Sequence, residues 1–205
     1  MKPYRCFFLC CALLSAHFAA AQIITPKARV SQIVLTNYET DDAYVKIHYG
    51  QPYRKGRAIF GALVPYGQVW RTGANEATEI TTTADLQIEG KTLPAGTYSI
   101  YTVPRPDRWT VIFNRDLGAG GAYEYDAKQD VLRVDVPTVS TPETYEAFMM
   151  KLQGTDEEVD IQMMWDQTLV SLPVRIMPRA QTAPITDGRP RPDHAKPGRP
   201  GDIKK

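Results

Sequence analysis

The sequence predicts an all-β fold, a single antiparallel β-sandwich followed by a disordered C-terminal tail. Three observations carry that expectation. Apolar and polar residues alternate with period two along much of residues 28–177, glycine, proline and aspartate punctuate the runs, and no helical pattern of ten or more residues stands out. One-sided alternation suits sheets with one face on a core and one in water. Several short strands at regular spacing suit a sandwich.

The runs follow in chain order. In AYVKIHY, Val45, Ile47 and Tyr49 share one face while Lys46 and His48 share the other. Glu89-Gly90-Lys91 marks a tight hairpin, and Leu93-Pro94-Ala95-Gly96-Thr97 sets a fixed φ and then a permissive residue, as a turn requires. In TYSIYTV, Tyr98 and Ile100 alternate with Ser99 and Tyr101. Trp109, Val111 and Phe113 face together in RWTVIFN, as do Leu132, Val134 and Val136 in VLRVDV. Residues 141–152, TPETYEAFMMKL, open like a helix at Thr141-Pro142-Glu143, but Phe148, Met150 and Leu152 alternate and predict a strand. In EVDIQMMW, Val159, Ile161, Met163 and Trp165 form one face; in LVSLPVRI, Val170, Leu172, Val174 and Ile176 do. Asp166-Gln167-Thr168 is expected to separate these last two strands. Pro173 lacks a ladder donor, which places the final strand at an edge or gives it a bulge.

The ends of the chain bound the compartment. Lys2 and Arg5, the apolar residues 7–16 and Ala19-Ala20-Ala21 have the layout of a signal peptide over residues 1–21. The apolar run is shorter than the ~20 residues that span a bilayer, so no transmembrane anchor is expected. Too few apolar residues precede Cys10 and Cys11 for the lipoprotein alternative to be favoured. The expectation is export to the periplasm or beyond. Cleavage would remove Cys6, Cys10 and Cys11, all the cysteines in the chain, so the body, residues 22–177, must stand on packing without disulfides. Residues 178–205 are rich in proline and poor in apolar residues, which predicts disorder. They hold seven Lys or Arg against three Asp, whereas residues 22–177 hold fifteen against twenty Asp or Glu. A basic tail of this kind touches anionic surfaces weakly at most, and an acidic body argues against a nucleic-acid partner.

Few motifs carry chemistry. Of the histidines beyond residue 21, His194 lies in the tail and His48 on the polar face of a strand, with no second His or Cys near it, so neither a metal nor a cofactor is expected. Asp156-Glu157-Glu158-Asp160 reads as a solvated turn rather than a calcium loop. GAGGAY, residues 118–123, lacks the Lys-Ser/Thr of a phosphate-binding loop. No G-x-S-x-G elbow is present, and no residue is assigned as catalytic.

The informative stretch is residues 49–80, where alternation stops and Gly50, Gly56, Gly61, Gly67 and Gly73 bend the backbone. Its candidate ligand-binding residues are Tyr53, Arg54, Arg57, Trp70, Arg71, Asn75 and Glu76. Rings give apolar contact, guanidinium forks give paired hydrogen bonds, and amides and carboxylates orient hydroxyls. That chemistry suits an envelope glycan or a peptide. Two other readings compete. In one, a hydrolase uses Glu76 or Glu79 as acid or base, with His48 or a second carboxylate as partner. In the other, the segment is structural: Trp70 plugs the core and Asn75 takes the left-handed conformation asparagine tolerates.

KGR-x-IFG-x-LVPYG-x-VWRTGANEAT-x-I (Lys55 to Ile80), then LPAGTYS (Leu93 to Ser99) and WTVIFN (Trp109 to Asn114), resembles the bacterial family catalogued as domain of unknown function 2911 over residues 28–176. The resemblance implies an exported β-rich domain and brings no established activity, ligand or catalytic residue. Members of that family often carry arginine where this chain has Gln51.

Overall fold

A computed structural model describes residues 31–177 except Asp42. The expected signal peptide and the expected disordered tail lie outside the described residues. Nine strands form one antiparallel sheet: β1 (Gln32–Glu39), β2 (Tyr44–Gln51), β3 (Thr78–Thr82), β4 (Asp85–Ile88), β5 (Lys91–Leu93), β6 (Gly96–Pro104), β7 (Arg108–Asn114), β8 (Asp130–Gly154) and β9 (Glu158–Met177). Their spatial order is β1-β2-β3-β6-β7-β8-β9-β4-β5. Among the described residues no helix is long and apolar enough to cross a membrane.

The all-β expectation holds, and β8 and β9 explain how one sheet encloses a core. The first part of β8 pairs with β7, from Asn114↔Asp130 to Arg108↔Pro137. Its later part pairs with β9, with register shifts between Ser140 and Met149. Asp166 of β9 takes φ 53° opposite that irregular stretch. Bulges of this kind bend a strand without ending it, so the sheet folds over on itself. Ile47, Ile80 and Trp109 from one side and Leu86, Leu172 and Val174 from the other then meet in one buried cluster. Two expectations are corrected here. Asp166-Gln167-Thr168 does not separate two strands: a single left-handed residue turns the chain while β9 runs through it. β9 is also an interior strand; Pro173 falls between its pairing with β8, which ends at Val170, and its pairing with β4, which begins at Arg175.

Two further expectations hold. Residues 141–152 are strand, and Glu89-Gly90 makes its turn with φ 48° and 76°, the pair of positive values that a two-residue hairpin needs. His48 pairs across strands with Glu79.

A polar row crosses the outer face of the sheet. Register places His48, Glu79, Ser99, Asn114 and Asp130 side by side on β2, β3, β6, β7 and β8. The row fastens the segment 115–129 over that face. The Gly118 amide donates to Glu79 Oε1 (2.9 Å), Ser99 Oγ to the Asp116 carbonyl (2.6 Å), and Asn114 Nδ2 to the Asp126 carbonyl (2.9 Å) and Asp130 Oδ1 (2.8 Å). Beneath the segment lies a second apolar cluster of Ala77, Tyr101, Val103, Ile112 and Ala119. This cover is why Tyr101 and Val103, on the outward face of β6, are buried.

Tyr125 closes that segment. Its hydroxyl donates to Asp130 Oδ2 (2.7 Å) and accepts from Arg133. Burial, reinforced by the Asp130 carboxylate, pushes its pKa up to about 12. An unfolded tyrosine titrates near ~10. Between those values the unfolded chain has lost the phenolic proton that the folded chain keeps, so the contribution is complete below the lower value and lost as pH rises through the upper one. We expect wild-type stability to fall more steeply than that of Tyr125→Phe between pH ~10 and ~12, measured by thermal melts; parallel curves would contradict the assignment.

Candidate ligand-binding site

The site is built by the chain between β2 and β3, which is irregular because each of its turns answers to a different neighbour. After Gln51 the chain lies beside the β8 bend: Tyr53 bridges Ala147, the Phe148 amide donates to the Pro52 carbonyl (2.9 Å), and the Arg54 amide to the Glu146 carbonyl (2.7 Å). Lys55 and Gly56 then turn with positive φ. Ile59 and Val64 are buried in the main core, with the Val64 amide donating to the Ile59 carbonyl (2.9 Å). Next, Trp70 forms a two-way bridge with Thr102 of β6, N to O at 2.7 and 2.9 Å. Alternation about that bridge sends Trp70 into the main core and Val69 onto the outer cluster.

The turn 73–75 is fixed by backbone meeting backbone. The Ala74 amide donates to the Gly50 carbonyl (3.0 Å). A Cβ on Gly50 would stand 1.9 Å from the Ala74 carbonyl oxygen, and one on Gly73 would stand 2.9 Å from the Gly50 oxygen. Only glycine permits that approach. Asn75 takes φ 66° and its Nδ2 donates to the Ser31 carbonyl (3.1 Å).

Each candidate residue now has a position. Trp70 is 9 % exposed and Trp165 only 1 %. Their rings stack at 5.8 Å, with Phe148 at 5.1 Å, Trp109 at 5.9 Å and Phe60 at 6.3 Å edge-on to Trp70. Trp70 Nε1 donates to the Gly73 carbonyl (3.1 Å), which satisfies the one polar atom of the ring. Arg54 forms an ion pair with Asp166 (3.1 Å) and ties the loop to the left-handed bend of β9. Arg57 donates from Nε to the Arg54 carbonyl (2.9 Å) and from Nη2 to the Tyr53 carbonyl (2.6 Å), so its charge stays at the surface while its donors close a turn. The Arg71 carbonyl accepts from the Thr78 amide (3.1 Å), but its guanidinium has no partner among the described residues, and its Nε is buried without an acceptor. Its Nη1 lies 3.7 Å from where a Cβ on Gly121 would stand, against the glycine-rich segment. Gln51, the departure from the family pattern, donates to the Phe148 carbonyl (3.1 Å) and accepts from Gln32 Nε2 (2.9 Å).

Tyr53, Arg57, Trp70, Arg71 and Asn75 border one concavity of about 330 Å3. Lys55, Leu63, Val64 and Trp165 also line it. Of these, Trp165 belongs to a core face in the sequence reading, and no local signal links it to residues 53–76. Arg54 and Glu76 are not on its wall. Glu76 instead borders a separate cleft of about 220 Å3 on the outer face, together with Ile33, His48, Glu79 and Gly118. There His48 Nε2 lies 3.6 Å from Glu79 Oε2. Ser99 does not adjoin His48; it stands on the far side of Glu79 in the row. A third groove, about 490 Å3, lies between the β4–β5 and β8–β9 turns and includes Glu89, Asp160 and the Arg175–Glu158 ion pair. Among the described residues no three His, Cys, Asp or Glu come together as metal ligands.

The model of a family described as "Protein of unknown function (DUF2911)" matches residues 26–174. No curated protein and no solved structure matches the chain.

Proposed function

We propose that this chain, which belongs to the DUF2911 family, is a binding module of the cell envelope that takes a polar ligand, a glycan or a peptide, through residues 53–76. The observation that supports this most is convergence. Five of the seven residues chosen for their chemistry, Tyr53, Arg57, Trp70, Arg71 and Asn75, border one concavity of about 330 Å3, within the usual range of small-ligand sites, roughly 300–1,000 Å3. Export to the periplasm or beyond is part of the proposal and rests on the layout of residues 1–21. The test is a screen of the purified protein against envelope glycans and peptides, repeated with Arg71→Ala and Asn75→Ala. Hits should weaken at least several-fold in one or both variants; equal binding by both folded variants would remove the site.

A second reading has one observation in its favour. His48 and Glu79 lie 3.6 Å apart on a cleft that also holds Glu76, which gathers the types of group that acid–base chemistry uses. Both oxygens of Glu79 are already engaged, one by the Gly118 amide and the other facing His48, which favours a fastening role.

A further inference from the structure

We infer that the concavity takes the C-terminal residue of a peptide, its carboxylate on the cationic wall and an apolar side chain against Leu63 and Val64. The inference rests on the binding reading above and narrows it. Charge is the first reason. Lys55, Arg57 and Arg71 line the concavity, and among the described residues no Asp or Glu does, in a body whose acids outnumber its bases. An anion is therefore drawn to this wall.

The second reason is that two of these cations are unspent. Neither the Lys55 ammonium nor the Arg71 guanidinium has a hydrogen-bond or ion-pair partner among the described residues, and Arg71 Nε is buried with no acceptor. A buried donor left unmade is costly, and a carboxylate is the acceptor whose geometry matches a guanidinium fork. The third is the shape of the apolar part. The two indoles on the wall, Trp70 and Trp165, are buried and locked among other rings, which leaves the exposed Tyr53 as the open ring there. Beside it lie Pro52 and the exposed Leu63, with Val64 buried behind them, a surface suited to an apolar side chain. A volume of about 330 Å3 sits near the lower bound for ligand pockets, which fits the end of a chain rather than a run of it. Capture of a terminal carboxylate is an established mode of peptide recognition.

Three probes test it: acetyl-Ala-Ala-Leu with a free carboxylate, the same peptide as its C-terminal amide, and an N-acetylglucosamine trimer. The readout is tryptophan emission, since the three tryptophans all lie in the aromatic cluster behind the concavity. We expect the acid to bind at least ten-fold more tightly than the amide. In Lys55→Gln with Arg71→Gln the acid should fall to the level of the amide. Lys55→Gln alone, at an exposed position, should lose part of the difference, so the test holds even where the Arg71 variant does not fold. Equal binding of acid and amide by the wild type overturns the carboxylate inference and leaves the concavity as a site. Binding of the trimer with both peptides silent does the same. Silence of all three probes overturns both the inference and the reading beneath it.

Discussion

Trp70→Ala should cost about 3–5 kcal/mol of stability, the range for deleting a large buried aromatic. The ring is surrounded by Trp165, Phe148, Trp109 and Phe60, and no neighbour can move in without giving up its own packing. The side chain also secures the turn behind it, because Nε1 holds the Gly73 carbonyl. The loss should therefore exceed that of Trp70→Phe, which keeps most of the ring contact and drops the hydrogen bond. Denaturant unfolding measures both. A loss below ~1 kcal/mol for the alanine variant would mean that the cluster tolerates a void, contrary to the usual behaviour of packed cores.

Asn114→Ala should be the next most damaging, by about 2–4 kcal/mol if each stranded partner costs roughly 1–3. The side chain is fully buried. It holds the Asp126 carbonyl, Asp130 Oδ1 and the Asp116 amide, the last through Oδ1 at 2.9 Å. Asp116 and Asp126 belong to the segment 115–129, and Asp130 opens β8 directly after it. Hydrogen exchange should therefore speed up in residues 115–129 before it does in β2 or β3. Uniform acceleration across the sheet would show instead that the segment and the sheet open as one unit.

The legible parts of the fold are those in which one strand face meets the core. Val45, Ile47 and Tyr49 announce β2 because their neighbours point outward. β1 announces less: it is the first strand in the sheet order, Ile33 and Leu35 are exposed on its outer side, and its inner residues Val34 and Tyr38 are only partly buried. Asp166 misleads for a local reason. An aspartate beside polar residues reads as a break, whereas here the ladder with β8 bends around it.

At the site, sequence reasoning reaches what residue type alone determines. Asparagine in a left-handed turn and a large ring in the core are both properties of the side chain, and Asn75 and Trp70 behave accordingly. It does not reach pairings made by register. The Arg54 partner is Asp166, far along the chain, and Glu76 turns to the outer-face cleft because the 73–75 turn folds back over Gly50. The row from His48 to Asp130 is likewise invisible until the strands are aligned.

The most direct measurement is a two-dimensional amide and indole NH spectrum of the protein titrated with any ligand found in the screen. Binding at residues 53–76 predicts shifts of the Trp70 and Trp165 indoles and of the amides of Tyr53, Lys55, Val64 and Arg71, with His48, Glu79 and Gly118 unmoved. Shifts centred on His48, Glu79 and Gly118, with both indoles still, would place recognition in the outer-face cleft and contradict the assignment.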